Sequence, residues 1–443
     1  MSKLKQYRFA ELSLWQSAVD EVVAKKAAVA QAQDINAVGV VTRPDSSHSM
    51  VAAAVQDLNA VESGNDAPPP PSPPPHATED VGTVVRYCSS LARNYAWAKL
   101  RGDQAAIDQY GKPLLEKFGV CDPGWADTAI KYAEFLASRQ AVPYRTYKDI
   151  GDYVIPNGLP DKGTIAIVGD WGTGQAEAKQ VLAQLARKQP DVVIHLGDIY
   201  YSATDFEVDN YFYNIWSTIL DLTKVRTYTL AGNHDMFSGG APYYRLIDKL
   251  GQPASYFCLR NANWQFVNID TGLNDREPGG TKPTFLQDTE VAWIKDKIQN
   301  AGGRRTILLS HHQLFTAYED IAGQALNDKL LGQLSSILPS VDMWLWGHEH
   351  NLVFYDRYQG VLARCIGHGG FPVGVAEIGK AKFGDVPVRQ VPVPLGTTPP
   401  FYNHGYAIID LDGASGRISY YQDTDEDNPQ FQEDIQPVSP PGH

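Results

Sequence analysis

The sequence predicts an α/β fold for its second part, preceded by a helical region, and two observations carry this prediction. From about Gly163 onward, strand runs of the buried type alternate with amphipathic helical segments, which is the pattern of βαβ units. Several of these runs end in a glycine followed by a polar side chain, which is typical of a site at the carboxyl ends of parallel strands. The first 150 residues instead show helical spacing of apolar residues, interrupted by a proline-rich stretch.

Length and composition limit the classes of protein that the chain can represent. A chain of 443 residues is too long for one hydrophobic core, so more than one domain is expected. The net charge of −13 argues against a general affinity for nucleic acids or anionic membranes. No run of 18 consecutive apolar residues occurs, so we expect no transmembrane helix and no integral membrane association.

The pattern of proline, glycine and apolar residues divides the chain into segments. Seven of the eight residues from Pro68 to Pro75 are proline, which favours an extended polyproline II spacer. A ligand for a proline-binding partner is the alternative, and the helical region is a second candidate for contact with a protein partner. The predicted segments are a helical or irregular stretch at 1–66, a proline-rich linker at 67–77, a helical region at 78–150, an α/β domain at 160–425 and a tail at 426–443.

The N-terminus and the cysteines bear on the cellular compartment. Residues 1–30 contain no apolar stretch of the kind found in secretory signals, so the expected location is the cytoplasm, or the exterior by a non-standard route. Four widely spaced cysteines form no CxxC pair. Free buried thiols are the favoured interpretation, and one structural disulfide is the alternative.

The α/β part shows a regular succession of predicted elements. A helix is also expected earlier, opening with Asp122 as N-cap and Pro123 in its first turn and ending near Arg139. Predicted strands are 164–168, 191–196, 225–230, 256–260, 265–269, 306–310 and 342–346, and predicted helices are 176–188, 209–222 and 288–299. From 352 to 421, short β runs alternate with glycine and proline, which predicts an antiparallel closing segment.

Polar side chains follow the predicted strands at their carboxyl ends. They are Asp170, Asp198, Tyr201, Asn233, His234, His311, His348 and His350. Each alone fits an ordinary turn or surface residue, but the ordered set predicts a metal site. Hard oxygen donors and imidazoles without cysteine suit Zn, Fe or Mn. A strand-end carboxylate can bridge two cations, and two cations together can hold a phosphoryl group.

These residues form short motifs that resemble those of a known family. They read Asp170-Trp171-Gly172, Gly197-Asp198-Ile199-Tyr200-Tyr201, Gly232-Asn233-His234-Asp235, Leu308-Leu309-Ser310-His311 and Gly347-His348-Glu349-His350. The set resembles the calcineurin-like metallophosphoesterase superfamily and, more narrowly, the purple acid phosphatases. Gly172 stands where the wider superfamily has a histidine, and Tyr201 follows the second aspartate by three residues, which marks the purple subgroup. The resemblance covers about 160 to 425.

The resemblance implies an architecture and a metal centre. The fold would be a four-layer α/β/β/α sandwich, to which the N-terminal helical region is added. An Fe(III) site would be formed by Asp170, Asp198, Tyr201 and His350, and a divalent site for Fe, Zn or Mn by Asp198, Asn233, His311 and His348. Asp198 would bridge the two ions.

The resemblance also implies a reaction. A metal-bound hydroxide would attack a small phosphate ester, most consistently as an acid phosphatase acting on monoesters. Asp198 and His234 would be catalytic, with His234 donating a hydrogen bond or a proton to the substrate. His312, His368 and His404 are further candidates for substrate contact. Two alternatives stay open: a phosphodiesterase acting on nucleotides or phospholipid head groups, and an interaction protein that uses the fold as a scaffold.

Overall fold

The computed structural model describes residues 101–278, 282–318, 323–375 and 395–435, together with single positions between 87 and 99 and at 321, 386, 390 and 391. The predicted segment at 1–66 and the predicted linker at 67–77 lie outside the described residues. The chain divides into two compact units, with the division after Gln140. In the described ranges, no helix combines the length and the apolar character needed to cross a membrane.

The described part of the first unit includes the helices α1 (Gln104–Leu115) and α2 (Pro123–Ser138). The Asp122 side chain accepts a hydrogen bond from the Gly124 amide at 2.9 Å, and Pro123 occupies the first turn of α2, which confirms the predicted helix start. A disulfide joins Cys88 to Cys121. The expectation of free thiols is therefore wrong for this pair, because the chain brings the two cysteines together across 33 residues of sequence.

The second unit consists of β-strands and helices. Its strands are β1 (Val154–Pro156), β2 (Lys162–Val168), β3 (Val192–His195), β4 (Arg226–Thr229), β5 (Phe257–Arg260), β6 (Trp264–Asn268), β7 (Arg305–Ser310), β8 (Met343–Trp346), β9 (Leu352–Tyr355), β10 (Leu362–Ile366), β11 (Gln390–Val391), β12 (Thr397–Thr398), β13 (Phe401–Tyr402), β14 (Gly405–Asp412), β15 (Ser415–Gln422) and β16 (Phe431–Asp434). Its α-helices are α3 (Ala176–Arg187), α4 (Asp205–Glu207), α5 (Asn214–Ile219), α6 (His234–Phe237), α7 (Ala241–Lys249), α8 (Asp288–Gln299) and α9 (Asp328–Leu334), with a π-helical stretch at Val208–Tyr213 and a 3₁₀ turn at Leu338–Ser340.

Two sheets form the centre of this unit. One has the strand order β1-β5-β6-β7-β8-β10-β9-β11, and the other has the order β16-β15-β14-β2-β3-β4. Apolar side chains from both sheets form a shared core, including Ile167 and Ile194 from one sheet and Phe266 and Leu309 from the other. Burying these side chains between the sheets stabilises their face-to-face packing.

Helices cover the outer face of each sheet. Leu182 of α3 packs with the core on one side, and Trp293 and Ile294 of α8 pack with the core on the other. The predicted four-layer α/β/β/α sandwich is confirmed. The three-residue apolar spacing seen in α8 follows from this position, because only one face of the helix is turned toward the sheet.

The strand directions place several loops at one edge of the sandwich. The strands β2, β3 and β4 are parallel to one another, and so are β6, β7 and β8. Parallel strands bring their carboxyl ends to a common edge. Asp170, Asp198 and Asn233 follow β2, β3 and β4, while His311 and His348 follow β7 and β8.

The end of the described chain closes the second sheet. The strands β14, β15 and β16 pair antiparallel, and β14 also pairs antiparallel with β2. An antiparallel closing segment was predicted for this part of the sequence. The predicted tail from residue 426 thus includes a strand of the second sheet, β16.

Candidate metal centre

The loops at this edge hold three polar residues in an unusual backbone conformation. Asp170, Asp198 and His348 have positive φ angles of 54°, 74° and 66°. Residues with side chains rarely adopt this region, so the surrounding structure must stabilise it. Asp235 contributes to this, because its carboxylate accepts hydrogen bonds from the amides of Asp198 at 2.9 Å and Gly232 at 2.8 Å.

Two glycines allow the loops to approach closely. A Cβ atom on Gly172 would lie 2.7 Å from the carbonyl oxygen of Asp198, and one on Gly232 would lie 2.0 Å from the Asp198 carboxylate. Neither position has room for a side chain in this arrangement. A side chain at either position would therefore require the Asp198 loop to shift.

The first group of possible ligands contains Asp170, Asp198 and His350, whose donor atoms lie within 4.8 Å of one another. Asp170 Oδ1 lies 3.6 Å from Nε2 of His350. The other oxygen of Asp170 accepts a hydrogen bond from the His348 amide at 2.9 Å. This bond ties the β2 loop to the β8 loop, so the carboxylate is oriented before any cation binds.

The second group contains Asn233, His311 and His348. Nε2 of His311 lies 3.1 Å from Oδ1 of Asn233 and 3.2 Å from Nδ1 of His348. The Asn233 oxygen is also 3.2 Å from Nδ1 of His348. These three donor atoms therefore converge on one point. The other ring nitrogen of His311 donates to the Leu196 carbonyl oxygen at 3.0 Å, so Nε2 is the nitrogen that faces the other donors.

Asp198 connects the two groups. Its Oδ2 atom lies 3.4 Å from Nε2 of His311, while its carboxylate also belongs to the cluster with Asp170 and His350. The structure therefore brings together six of the predicted ligands, with Asp198 between the two sets. Asp198 is 1% exposed, so its carboxylate is available to the site but hardly to bulk water.

The electrostatics of this cluster suit bound cations. Burial opposes ionisation of Asp198, but the facing imidazoles, above all His311, outweigh it and hold the pKa of this carboxyl well below its usual range. Burial lowers the pKa of His348, and that of His350 to about 3, so both rings are neutral and able to bind metal. Among the described residues, the Asp170 and Asp198 carboxylates face histidine nitrogens at 3.4–3.8 Å and form no ion pair with lysine or arginine. Buried carboxylates in such surroundings are stabilised by metal cations, and this donor set fits them.

His234 lies beside the cluster without joining either group. Its Nδ1 atom donates to the Tyr201 carbonyl oxygen at 2.6 Å, and its Nε2 atom lies 3.8 Å from Oδ2 of Asp198. The ring centroid is 4.6 Å from that of Tyr200 and 4.6 Å from that of Phe237. These contacts fix the ring, so Nε2 is held at the edge of the site.

The two neighbouring tyrosines occupy different positions. The hydroxyl of Tyr200 donates to Oδ1 of Asp170 at 3.1 Å and lies 2.8 Å from Nε2 of His350. Tyr201, the predicted ligand, is buried and contributes its backbone to contacts with Glu207 and His234. The structure thus places the Tyr200 phenol beside the predicted Fe(III) ligands. The motif pattern did not single out this residue, although it lies within the quoted motif.

His312 packs against the second group but is held by other partners. Its Nδ1 atom lies 3.0 Å from Oγ1 of Thr271, and its Nε2 atom lies 2.9 Å from Oδ2 of Asp275. Its ring centroid is 4.3 Å from that of His348. Although His312 lies close enough to be grouped with His311 and His348, both of its nitrogens are engaged. Thr271 and Asp275 were not singled out from the sequence, because they lie in a loop without a recognisable pattern.

We expect Asp275→Asn to weaken the second metal position. The neutral amide is a weaker acceptor for His312 than the carboxylate, and His312 supports the ring of His348. Substitutions of residues that orient metal ligands lower metal affinity by about 10-fold or more. Titration of metal-stripped protein with a divalent cation measures this, with the exposed Asp161→Asn as control. An unchanged affinity would show that the Asp275–His312 pair does not support the site.

His368 and His404 lie together near the first group. Burial lowers the pKa of both rings, that of His368 to about 3, and His404 hydrogen-bonds the backbone of His368. Both ring nitrogens of His368 are buried and have no hydrogen-bond partner among the described residues. Neither histidine belongs to the two ligand groups, and contact of His312, His368 or His404 with substrate stays a prediction.

Comparisons with known proteins agree with this geometry. Residues 163–352 match the family model described as calcineurin-like phosphoesterase. The tartrate-resistant acid phosphatase type 5 of Sus scrofa is 26% identical over 236 residues, covering 46% of this chain and 68% of that protein. A glycerophosphodiester phosphodiesterase of Enterobacter lignolyticus is 26% identical over 200 residues, covering 44% of this chain and 68% of that protein.

Among solved structures, a purple acid phosphatase from seeds of yellow lupin, Lupinus luteus, superposes with a TM-score of 0.43 at 14% identity. The match covers 61% of this chain and 53% of the lupin protein, about half of its length. The family model covers the strands and loops that carry the two ligand groups. The chain therefore contains a calcineurin-like phosphoesterase domain, within residues 163–352.

Proposed function

We propose that this chain is a binuclear metal-dependent hydrolase of phosphate esters, acting as an acid phosphatase on monoesters. The observation that carries the proposal is the position of Asp198 between two groups of donors. Asp170, Asp198, His350 and a tyrosine would hold one cation, and Asp198, Asn233, His311 and His348 would hold the other. A single cation needs only one of these groups, so the second group supports a two-metal site.

The chemical types of the donors indicate that the two metal positions would bind cations of different charge. Carboxylates and a phenol, which are anionic when they bind, suit a trivalent ion such as Fe(III). The neutral amide of Asn233 and the imidazoles of His311 and His348 suit a divalent ion, Fe, Zn or Mn. When bound, the two cations would neutralise charge on the phosphoryl oxygens and activate water.

The chain's own residues would orient the substrate and supply a proton. His234 donates through Nδ1 to the Tyr201 carbonyl, so in the doubly protonated imidazolium form its second proton is on Nε2 and faces the site. We assign His234 the transfer of that proton to the leaving-group oxygen, as a general acid. Asp198 has a different role, because it holds both metal positions in one geometry and is itself fixed by the His234 amide at 3.1 Å.

One observation favours phosphodiesters as an alternative class of substrate. The Asp275 side chain is 19% exposed at the edge of the second group, and burial raises the pKa of its carboxyl to about 6. Above that pH, its negative charge would repel a dianionic monoester more than a monoanionic diester. A phosphodiesterase is also among the relatives. The convergence of six predicted ligands argues against a scaffold protein without activity.

A panel of monoesters and diesters, measured with metal-loaded protein from acidic to neutral pH, tests the proposed function. We expect monoester hydrolysis to exceed diester hydrolysis, with the highest monoester rate on the acidic side, where Asp275 is neutral. A preference for diesters at every pH would favour the phosphodiesterase. If neither class of ester were hydrolysed, this would contradict the proposal that the chain is an enzyme and would support the scaffold alternative.

A further inference from the structure

The motif between Gly197 and Tyr201 ends in two tyrosines, and only one of them can fill a given position in the metal centre. The family pattern indicates Tyr201, the third residue after Asp198, as the metal ligand. The contacts in the structure indicate the neighbouring Tyr200 instead. The Tyr200 hydroxyl is 3.1 Å from Oδ1 of Asp170 and 2.8 Å from Nε2 of His350, the two residues that flank the first metal position.

The surroundings hold the Tyr200 ring in this place. Tyr200 is fully buried. Its ring centroid lies 4.6 Å from that of His234, 4.9 Å from that of Phe371 and 5.9 Å from that of His350. Phe371 in turn stacks on His350 with a centroid distance of 4.0 Å and an interplanar angle of 19°. The phenol therefore points toward the carboxylates from a packed aromatic pocket, and turning it away would require moving several rings.

The backbone of Tyr201 makes hydrogen bonds that orient other residues of the site. Its amide donates to the Glu207 carboxylate, and its carbonyl accepts from Nδ1 of His234. Glu207 also accepts from the amides of Ser202 at 3.3 Å and Thr204 at 2.9 Å, which fixes the loop after β3. Tyr201 thus positions His234 through its carbonyl oxygen, while the Tyr200 hydroxyl donates to the Asp170 carboxylate.

We propose that Tyr200, and not Tyr201, is the tyrosine that binds the trivalent cation, together with Asp170, Asp198 and His350. This inference rests on the proposed binuclear centre. On binding, the phenolic oxygen forms a bond to the cation and its proton passes to solvent water. The ligands then contribute three negative charges, from two carboxylates and one phenolate, which balance a trivalent ion. The assignment departs by one residue from the pattern of the purple acid phosphatases.

The two tyrosines provide a matched pair of variants, Tyr200→Phe and Tyr201→Phe. Each removes one hydroxyl and leaves the ring in place. Metal-stripped full-length wild type and both variants are titrated with Fe(III), and the tyrosinate-to-iron absorption band and the tyrosinate vibrations in resonance Raman spectra are recorded. We expect wild type and Tyr201→Phe to show the band and Tyr200→Phe to lose it, with Fe(III) affinity at least about 10-fold lower in Tyr200→Phe.

A second titration with Ga(III) follows phenol deprotonation by ultraviolet difference absorption, so the readout does not depend on iron colour. The proposal is overturned if the tyrosinate signal survives in Tyr200→Phe, if it disappears in Tyr201→Phe, or if wild type shows none with either ion. The Tyr201→Phe result alone still decides the question should Tyr200→Phe not fold. Hydrolysis of a phosphate ester by wild type loaded with Zn or Mn tests the proposed function separately from the tyrosine assignment.

Discussion

Asp198→Asn is expected to remove nearly all phosphate-ester hydrolysis, because this carboxylate lies between both groups of ligands. Substituting a residue that only orients a ligand lowers metal affinity by up to about 100-fold, so the loss of a shared ligand should exceed that. Metal content and the rate of hydrolysis should fall together. The exposed Asp412→Asn, at the end of β14, is the matched control and should behave as wild type.

Thermal unfolding separates a lost metal site from a damaged fold. Binding of a cation to the folded state raises its stability, so metals should raise the melting temperature of wild type. Metal-stripped Asp198→Asn should melt below metal-stripped wild type, because the facing imidazoles stabilise the ionised carboxylate in the folded state and the neutral amide lacks this charge. Added metal should then raise the melting temperature of the variant only slightly. Normal metal content with normal turnover in Asp198→Asn would refute the bridging role.

His234→Ala is expected to lower the rate of hydrolysis by about 10²–10⁴-fold while both metal positions stay filled. The reason is geometric: Nε2 of His234 lies beside the cluster, 3.8 Å from the Asp198 carboxylate, and neither ligand group requires it. A general acid matters most for poor leaving groups. The loss should therefore be larger for an alkyl phosphate than for a nitrophenyl phosphate.

His234→Asn serves as the matched variant, because an amide can donate a hydrogen bond but cannot transfer a proton at these pH values. If His234 only binds a phosphate oxygen, the asparagine variant should recover much of the activity with both leaving groups. If it is the general acid, the alkyl ester should remain slow. Turnover near that of wild type in His234→Ala would remove this residue from the mechanism.

Much of the site could be predicted from the sequence because the candidate metal ligands come directly after predicted strands. Asp170, Asp198 and Asn233 come after buried strands of one sheet, and His311 comes after a strand of the other. Apolar runs predict such strands, and parallel strands align their ends. The α/β pattern alone was therefore enough to predict that these residues converge. The structure places their donor atoms together.

Other features depend on contacts that no local pattern reveals. The position of Asp275 beside His312 arises from the path of the loop after β6, and the Cys88–Cys121 disulfide depends on how two helical stretches fold together. The choice between Tyr200 and Tyr201 is of the same kind, since adjacent residues of one type look alike in the sequence. A shift of one position changes which side chain faces the site.

The number of cations that hydrolysis requires tests the central claim most directly. Metal-stripped full-length protein is titrated with Fe, Zn or Mn, and bound metal per chain is measured together with the rate of hydrolysis of a phosphate monoester. The binuclear centre predicts no hydrolysis without metal and full hydrolysis only when two cations are bound per chain. Hydrolysis that persists after metal removal, or reaches its maximum with one bound cation, would contradict it.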